Sequence, residues 1–74
     1  MTLQEKRKKK GLSQSELAAV SGVKLRAIQV YEIGQRDING AKLDTLCKLA
    51  LALDCKVVDL LTDDALKIRL NKTV

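Results

Sequence analysis

Arg26 and Gln29 stand three residues apart in the run LRAIQVYE, so on a helix they share a face, and each ends in a planar group able to make two hydrogen bonds at once. Such forks fit the edges of nucleobases, arginine on guanine and glutamine on adenine, while the neighbouring Val30 suits only apolar contact, such as a thymine methyl. The chain has no histidine for acid–base work at neutral pH. At 74 residues it is expected to bury only about 60 to 65% of its unfolded surface, too small a core to frame a deep catalytic cleft. We therefore expect a binding protein and not an enzyme, with no catalytic residue, no cofactor and no small-molecule substrate.

The stretch from Leu12 to Arg36 must position these side chains, and it reads as two short amphipathic helices around a glycine turn. Ser13 followed three residues later by Glu16 is a capping box, which starts a helix. Leu17, Ala18 and Val20 supply its apolar side, and Gly22 can end it in a left-handed conformation. Two helices joined by so short a turn have the form of a helix-turn-helix. Advancing about 100° per residue, the second helix, about 24–33, divides into two faces. Ile28, Tyr31 and Glu32 point inward, with Tyr31 read as a core anchor in preference to a stacking platform. Arg26, Gln29, Val30 and Ile33 point toward a partner.

Phe, Trp and Pro are absent, and Leu, Ala, Val and Ile must build the core, which suits helices better than a sandwich or barrel. The fold expected is all-α, a compact bundle of five short helices at about 2–10, 13–21, 24–33, 41–53 and 57–62. The formal net charge is +5, and every residue from Lys6 to Lys10 is basic. Cations near a helix C-terminus complement its dipole, but beside a helix-turn-helix they also attract phosphate. Consecutive helical positions cannot share one surface, so two or three of the five are expected to contribute. Cys47 and Cys55 stand eight apart without histidine, a pattern that binds no zinc, and both are read as core residues, with redox sensing as the alternative. There is neither a signal-peptide pattern nor an apolar run approaching 18 residues, so a soluble, cytoplasmic protein with no membrane partner is expected.

The ordered series LSQSELA, SGV, the YE and G-x-R of YEIGQR, LDTLCKLALAL and VVDLL resembles the Cro and phage-repressor type of helix-turn-helix domain, lambda-repressor-like, over about residues 3–61. The resemblance implies that the first helix of the motif crosses the backbone of double-stranded DNA and the second enters the major groove. Gln14 matches the family's phosphate-clamping glutamine, with Ser13 beside it. Lys24, Leu25, Arg26, Gln29 and Val30 fall at its base-reading positions, and Gln35 and Arg36 in its phosphate-contacting loop. Arg7 and Glu32 match a pair that commonly forms a buried salt bridge. Leu25, Val30 and Ile33 are apolar where the family is usually polar, which weakens sequence reading while leaving phosphate binding intact. Lys6 replaces a common core-facing apolar residue, and Lys56 the usual Ser or Thr cap, at a cost of about 1 kcal/mol to the last helix.

Beyond the matched domain, 1–62, lies a tail, 63–74, where Leu66, Ile68 and Leu70 alternate with Lys67 and Arg69. Strict alternation favours a strand or extended chain, although Thr62, Asp63 and Asp64 could cap a sixth helix. Leu51 and Val58 stand where the family is usually polar, and with the tail they suggest a dimerisation surface. The other reading is a tail folded back over its own helices. The functional expectation is a sequence-specific transcriptional regulator, a repressor acting as a homodimer, with no separate ligand-binding domain. The alternative is an antitoxin-like interaction module that neutralises a toxin partner and autoregulates its operon.

Overall fold

Thr2 and Ser13 each open a helix by the same reciprocal device. The Thr2 hydroxyl accepts from the Glu5 N–H at 3.2 Å while the Glu5 carboxylate accepts from the Thr2 N–H at 3.1 Å. Ser13 and Glu16 repeat the exchange at 3.0 and 2.9 Å. The backbone bond, and then the hydroxyl, hold each glutamate below the ordinary carboxylate range. The computed structural model describes residues 2–62, in which α1 spans Leu3–Lys9, α2 Gln14–Ser21, α3 Leu25–Glu32 and α4 Leu43–Ala52. Two 3-10 turns, Ile38–Gly40 and Val57–Leu60, complete the order.

All described elements are helical, as expected, and the four α-helices fall within one or two residues of the first four anticipated. The fifth, expected over 57–62, is instead the short second 3-10 turn. Lys56 has no acceptor in its side chain, so only half of a capping exchange forms, the Asp59 carboxylate accepting from the Lys56 N–H at 3.0 Å. The turn at Ile38–Gly40 was not anticipated. Asp37 builds it, accepting from the Asn39 N–H at 2.9 Å, and Asn39 then exchanges two hydrogen bonds with Thr62, at 2.7 and 2.8 Å. The expected tail, with Leu66, Ile68 and Leu70, lies outside the described residues.

Leu17, Ile28, Leu49 and Leu60 are fully buried, one from each of α2, α3, α4 and the second turn. Around them α2 packs on α3 and α4, α1 on α3, and the second turn on α4. Gly22, at φ +76°, allows the chain to reverse between α2 and α3, and Gly34, at φ +81°, does the same after α3. At the end of α4 this role falls to Asp54, at φ +55°. The Cys55 N–H bonds the Ala50 carbonyl at 3.0 Å and the Asp54 N–H the Leu51 carbonyl at 3.3 Å, the paired closure of a Schellman motif.

The expectation that both cysteines pack in the core holds only for Cys55, half-buried against it; Cys47 is exposed. Leu46, Leu49 and Ala50 define the inward face of α4, continued by Leu53 just past its end, and Cys47 sits about 100° around from Leu46, on its outer side. No helix among the described residues is long and apolar enough to cross a membrane.

Candidate nucleic-acid interface

The turn between α2 and α3 sets the start of α3 facing solvent. Gly22 closes α2 through a 3.0 Å bond from its N–H to the Ala18 carbonyl, and the Ser21 hydroxyl accepts from Val23 at 3.1 Å. Val23 and Ile28 anchor this corner in the core, leaving Lys24, Leu25 and Arg26 exposed and Gln29 half-buried.

Val30 departs from expectation. It is only 9% exposed and does not stand out toward a partner. After Gly34 the chain folds back over α3, and the Arg36 N–H donates to the Val30 carbonyl at 3.2 Å. This brings Gln35 and Arg36 to Lys24, Arg26 and Ala27 around a hollow of about 400 Å³, with Val30 in its wall. Ile33, on the same expected face, is 63% exposed.

A second hollow, of about 610 Å³, shares Lys24, Ala27 and Arg36 with the first and runs on to Lys42, just before α4, and to Thr45 and Lys48 on that helix. Five cations, Lys24, Arg26, Arg36, Lys42 and Lys48, thus border one continuous open surface. Opposing them are Asp37 in the second hollow and Asp44, paired to Lys48 at 3.2 Å. The α4 contribution escaped the sequence reading, because nothing local in LDTLCK marks which flank will meet α3.

Gln14 and Ser13 are engaged within the fold. The Ser13 hydroxyl caps α2, and the Gln14 side-chain N–H donates to Glu32 at 3.1 Å. Glu32 also receives Arg7 in a fork, from Nε at 2.7 Å and Nη2 at 3.0 Å, and Arg7 Nη1 donates to the Leu12 carbonyl at 2.8 Å. The two charged side chains are 9% and 1% exposed. Burial pushes the Glu32 carboxyl up, but the bonds from Arg7 and Gln14 together with the charges of Arg7 and Lys8 outweigh it, so it lies below the ordinary range. The bond to Glu32 raises Arg7. One ionic node therefore joins α1, α2 and α3 behind the basic surface.

The basic run of α1 does not act as one patch. The charge of Lys8 bears on Glu32, near α3, whereas Lys10 pairs weakly with Asp54 at 3.9 Å and Lys6 lies with Leu51, Cys55 and Asp59 around a hollow at the far end of α4. Burial raises the Cys55 thiol there, with Lys6 pulling it back and Asp59 and Asp54 adding to the rise. Leu51 is 82% exposed beside this hollow and Val58 is half-buried.

No curated protein and no solved structure matches the chain. The profile of the Helix-turn-helix family matches residues 3–60, which takes in all four helices and the second 3-10 turn. The chain belongs to the helix-turn-helix family of Cro and phage-repressor type, the DNA-binding domains of transcriptional regulators.

Proposed function

We propose that the protein is a repressor that binds a two-half-site operator as a homodimer, each copy laying α3 in the major groove. The convergence of Lys24, Arg26, Gln35 and Arg36 on one hollow beside α3 carries this reading. Arg26 and Gln29 read base edges, Lys24 and Leu25 approach the groove at the start of the helix, and Gln35 and Arg36 hold the phosphates that flank it. Ser13 and Gln14 meet the backbone at the start of α2. Val30, in the wall of the hollow, contributes shape in place of a direct base contact.

Selection of bound duplexes from a random pool, followed by a salt titration on the winner, tests the proposal. A repressor of this kind enriches a two-fold sequence, with half-sites about 34 Å apart. Its affinity falls with salt at a slope of roughly −0.9 per phosphate neutralised. A pool with no enriched sequence, or salt-independent binding, overturns it. Exposed Leu51 and Ile33 favour a second reading, an antitoxin-like module whose apolar surfaces cover a toxin and which autoregulates its operon. Under that reading the isolated protein enriches little from the pool and gains affinity only with its partner bound.

A further inference from the structure

Leu25 is the first residue of α3 and is 37% exposed, outside the core that Val23 and Ile28 join on either side of it. Its chain neighbours Lys24 and Arg26 are cations that border the hollow completed by Gln35 and Arg36. At about 100° per residue, Gln29 falls about 40° around α3 from Leu25 and Arg26 about 100°, so the three make one contiguous face with Gln29 in the middle. We propose that Leu25 reads the 5-methyl group of a pyrimidine in the major groove, of thymine and of 5-methylcytosine alike, so that a methylated cytosine replaces thymine at that position and an unmethylated one does not. The proposal deepens the operator reading above and rests on it.

Leucine carries neither donor nor acceptor. Every base edge in the major groove offers hydrogen-bonding groups, and among the four standard bases the thymine methyl is the one apolar group beside them. Pressed against N7 and O6 of guanine, or N7 and N6 of adenine, Leu25 would strip water from those atoms and return no hydrogen bond. Against a methyl both surfaces are apolar, and both leave water. The C5 position carries this methyl in thymine and in 5-methylcytosine, and a bare hydrogen in uracil and cytosine. The two methylated bases differ at the adjacent ring position, O4 against N4, which a side chain without a polar atom does not tell apart. Leu25 thus senses the methyl and not the identity of the base.

The other apolar residues of this helix are worse placed for that contact. Val30, expected at a thymine methyl, is 9% exposed in the wall of the hollow. Ile33 is 63% exposed but caps the far end of α3, about 12 Å along the axis from Leu25, whereas base edges are met by the N-terminal residues of a recognition helix. Arg26 and Gln29 choose purines by their forks, and Leu25 adds a test of the methyl beside them. Burial of one methyl changes affinity by about fourfold. Two half-sites apply the test twice, about fifteenfold in all.

Replacing each thymine of the selected duplex by uracil in turn, with the full chain and with Leu25→Ala, tests this, circular dichroism confirming that the exposed substitution leaves the fold intact. One thymine per half-site should lose about fourfold on becoming uracil in the parent and nothing in Leu25→Ala, the non-additivity of two groups in contact. With cytosine at the same position, 5-methylation should tighten binding about fourfold, again only where Leu25 is present. A selected duplex indifferent to uracil at every thymine, a uracil effect that survives Leu25→Ala, or a methylated cytosine bound no better than the bare one overturns the proposal and leaves the operator reading standing. A pool that enriches no duplex overturns the operator reading and this one with it, so the two failures are told apart.

Discussion

Arg7 Nε lies 2.7 Å from Glu32 Oε2, and this contact holds the first helix to the last turn of α3 across 25 residues of chain. No buried side-chain nitrogen or oxygen among the described residues lacks a partner, so the node is fully satisfied. Removing one member leaves the other charge buried and unpaired. Glu32→Ala should destabilise by about 3 to 5 kcal/mol, which in a domain of this size lowers Tm by more than about 10 °C. A thermal melt within two degrees of the parent would mean that the pair contributes nothing.

The same carboxylate makes stability pH-dependent. Glu32 titrates lower in the folded protein than in the unfolded chain, so its contribution is complete above the unfolded value, about 4.3. It is lost as pH falls through the lower folded value. Glu5 and Glu16 shift in the same direction, so wild type must be compared with Glu32→Gln. The Tm difference between the two should be constant from about pH 7 to 5 and shrink below about pH 4. A difference that stays flat to pH 2 would assign acid sensitivity elsewhere.

Arg26 and Arg36 should separate on DNA. Arg26→Ala is expected to cost about 1 to 3 kcal/mol on the preferred duplex and little on random sequence. Arg36→Ala should weaken both alike and reduce the salt slope by about 1. Equal losses from Arg26→Ala on both duplexes would make it a phosphate contact.

Gln14 should show two effects together, because its amide holds Glu32 at 3.1 Å while it sits at the start of α2. Gln14→Ala is expected to lower stability by about 1.5 kcal/mol, as for a hydrogen bond to a charged group, and to weaken binding to every duplex alike. Urea unfolding beside binding isotherms on two sequences reads both. Unchanged stability would make the bond to Glu32 energetically idle.

Asp54 occupies a left-handed conformation that glycine adopts without strain. Asp54→Gly gives up only an exposed 3.9 Å contact with Lys10, an interaction of little weight. It should raise stability by about 0.5 to 1 kcal/mol, measured by urea unfolding at micromolar concentration. A loss instead would show that the carboxylate supports the end of α4.

The helix starts and stops were legible in the sequence wherever the bonds that make them span few residues. Ser13 and Glu16 exchange hydrogen bonds three residues apart, and Gly22 closes α2 on Ala18 four residues back, so types and spacing alone determine the motif. Even so, the equivalent exchange of Thr2 with Glu5 and the turn that Asp37 builds went unread. The pairing of Arg7 with Glu32 was suggested by family resemblance and not by any local pattern.

Only the tertiary structure decided how the surfaces were shared out. Val30 is walled in because the chain after Gly34 returns over α3, and Cys47 faces outward because the α4 core face is set by what α2 and the second turn press against. Gln14 holds Glu32, and Lys6 and Lys10 turn away from Lys8, through neighbours 18 to 49 residues distant in the chain. Helix periodicity divides a helix into faces, but which face is covered depends on the packing of other elements, and that information is spread over the whole sequence.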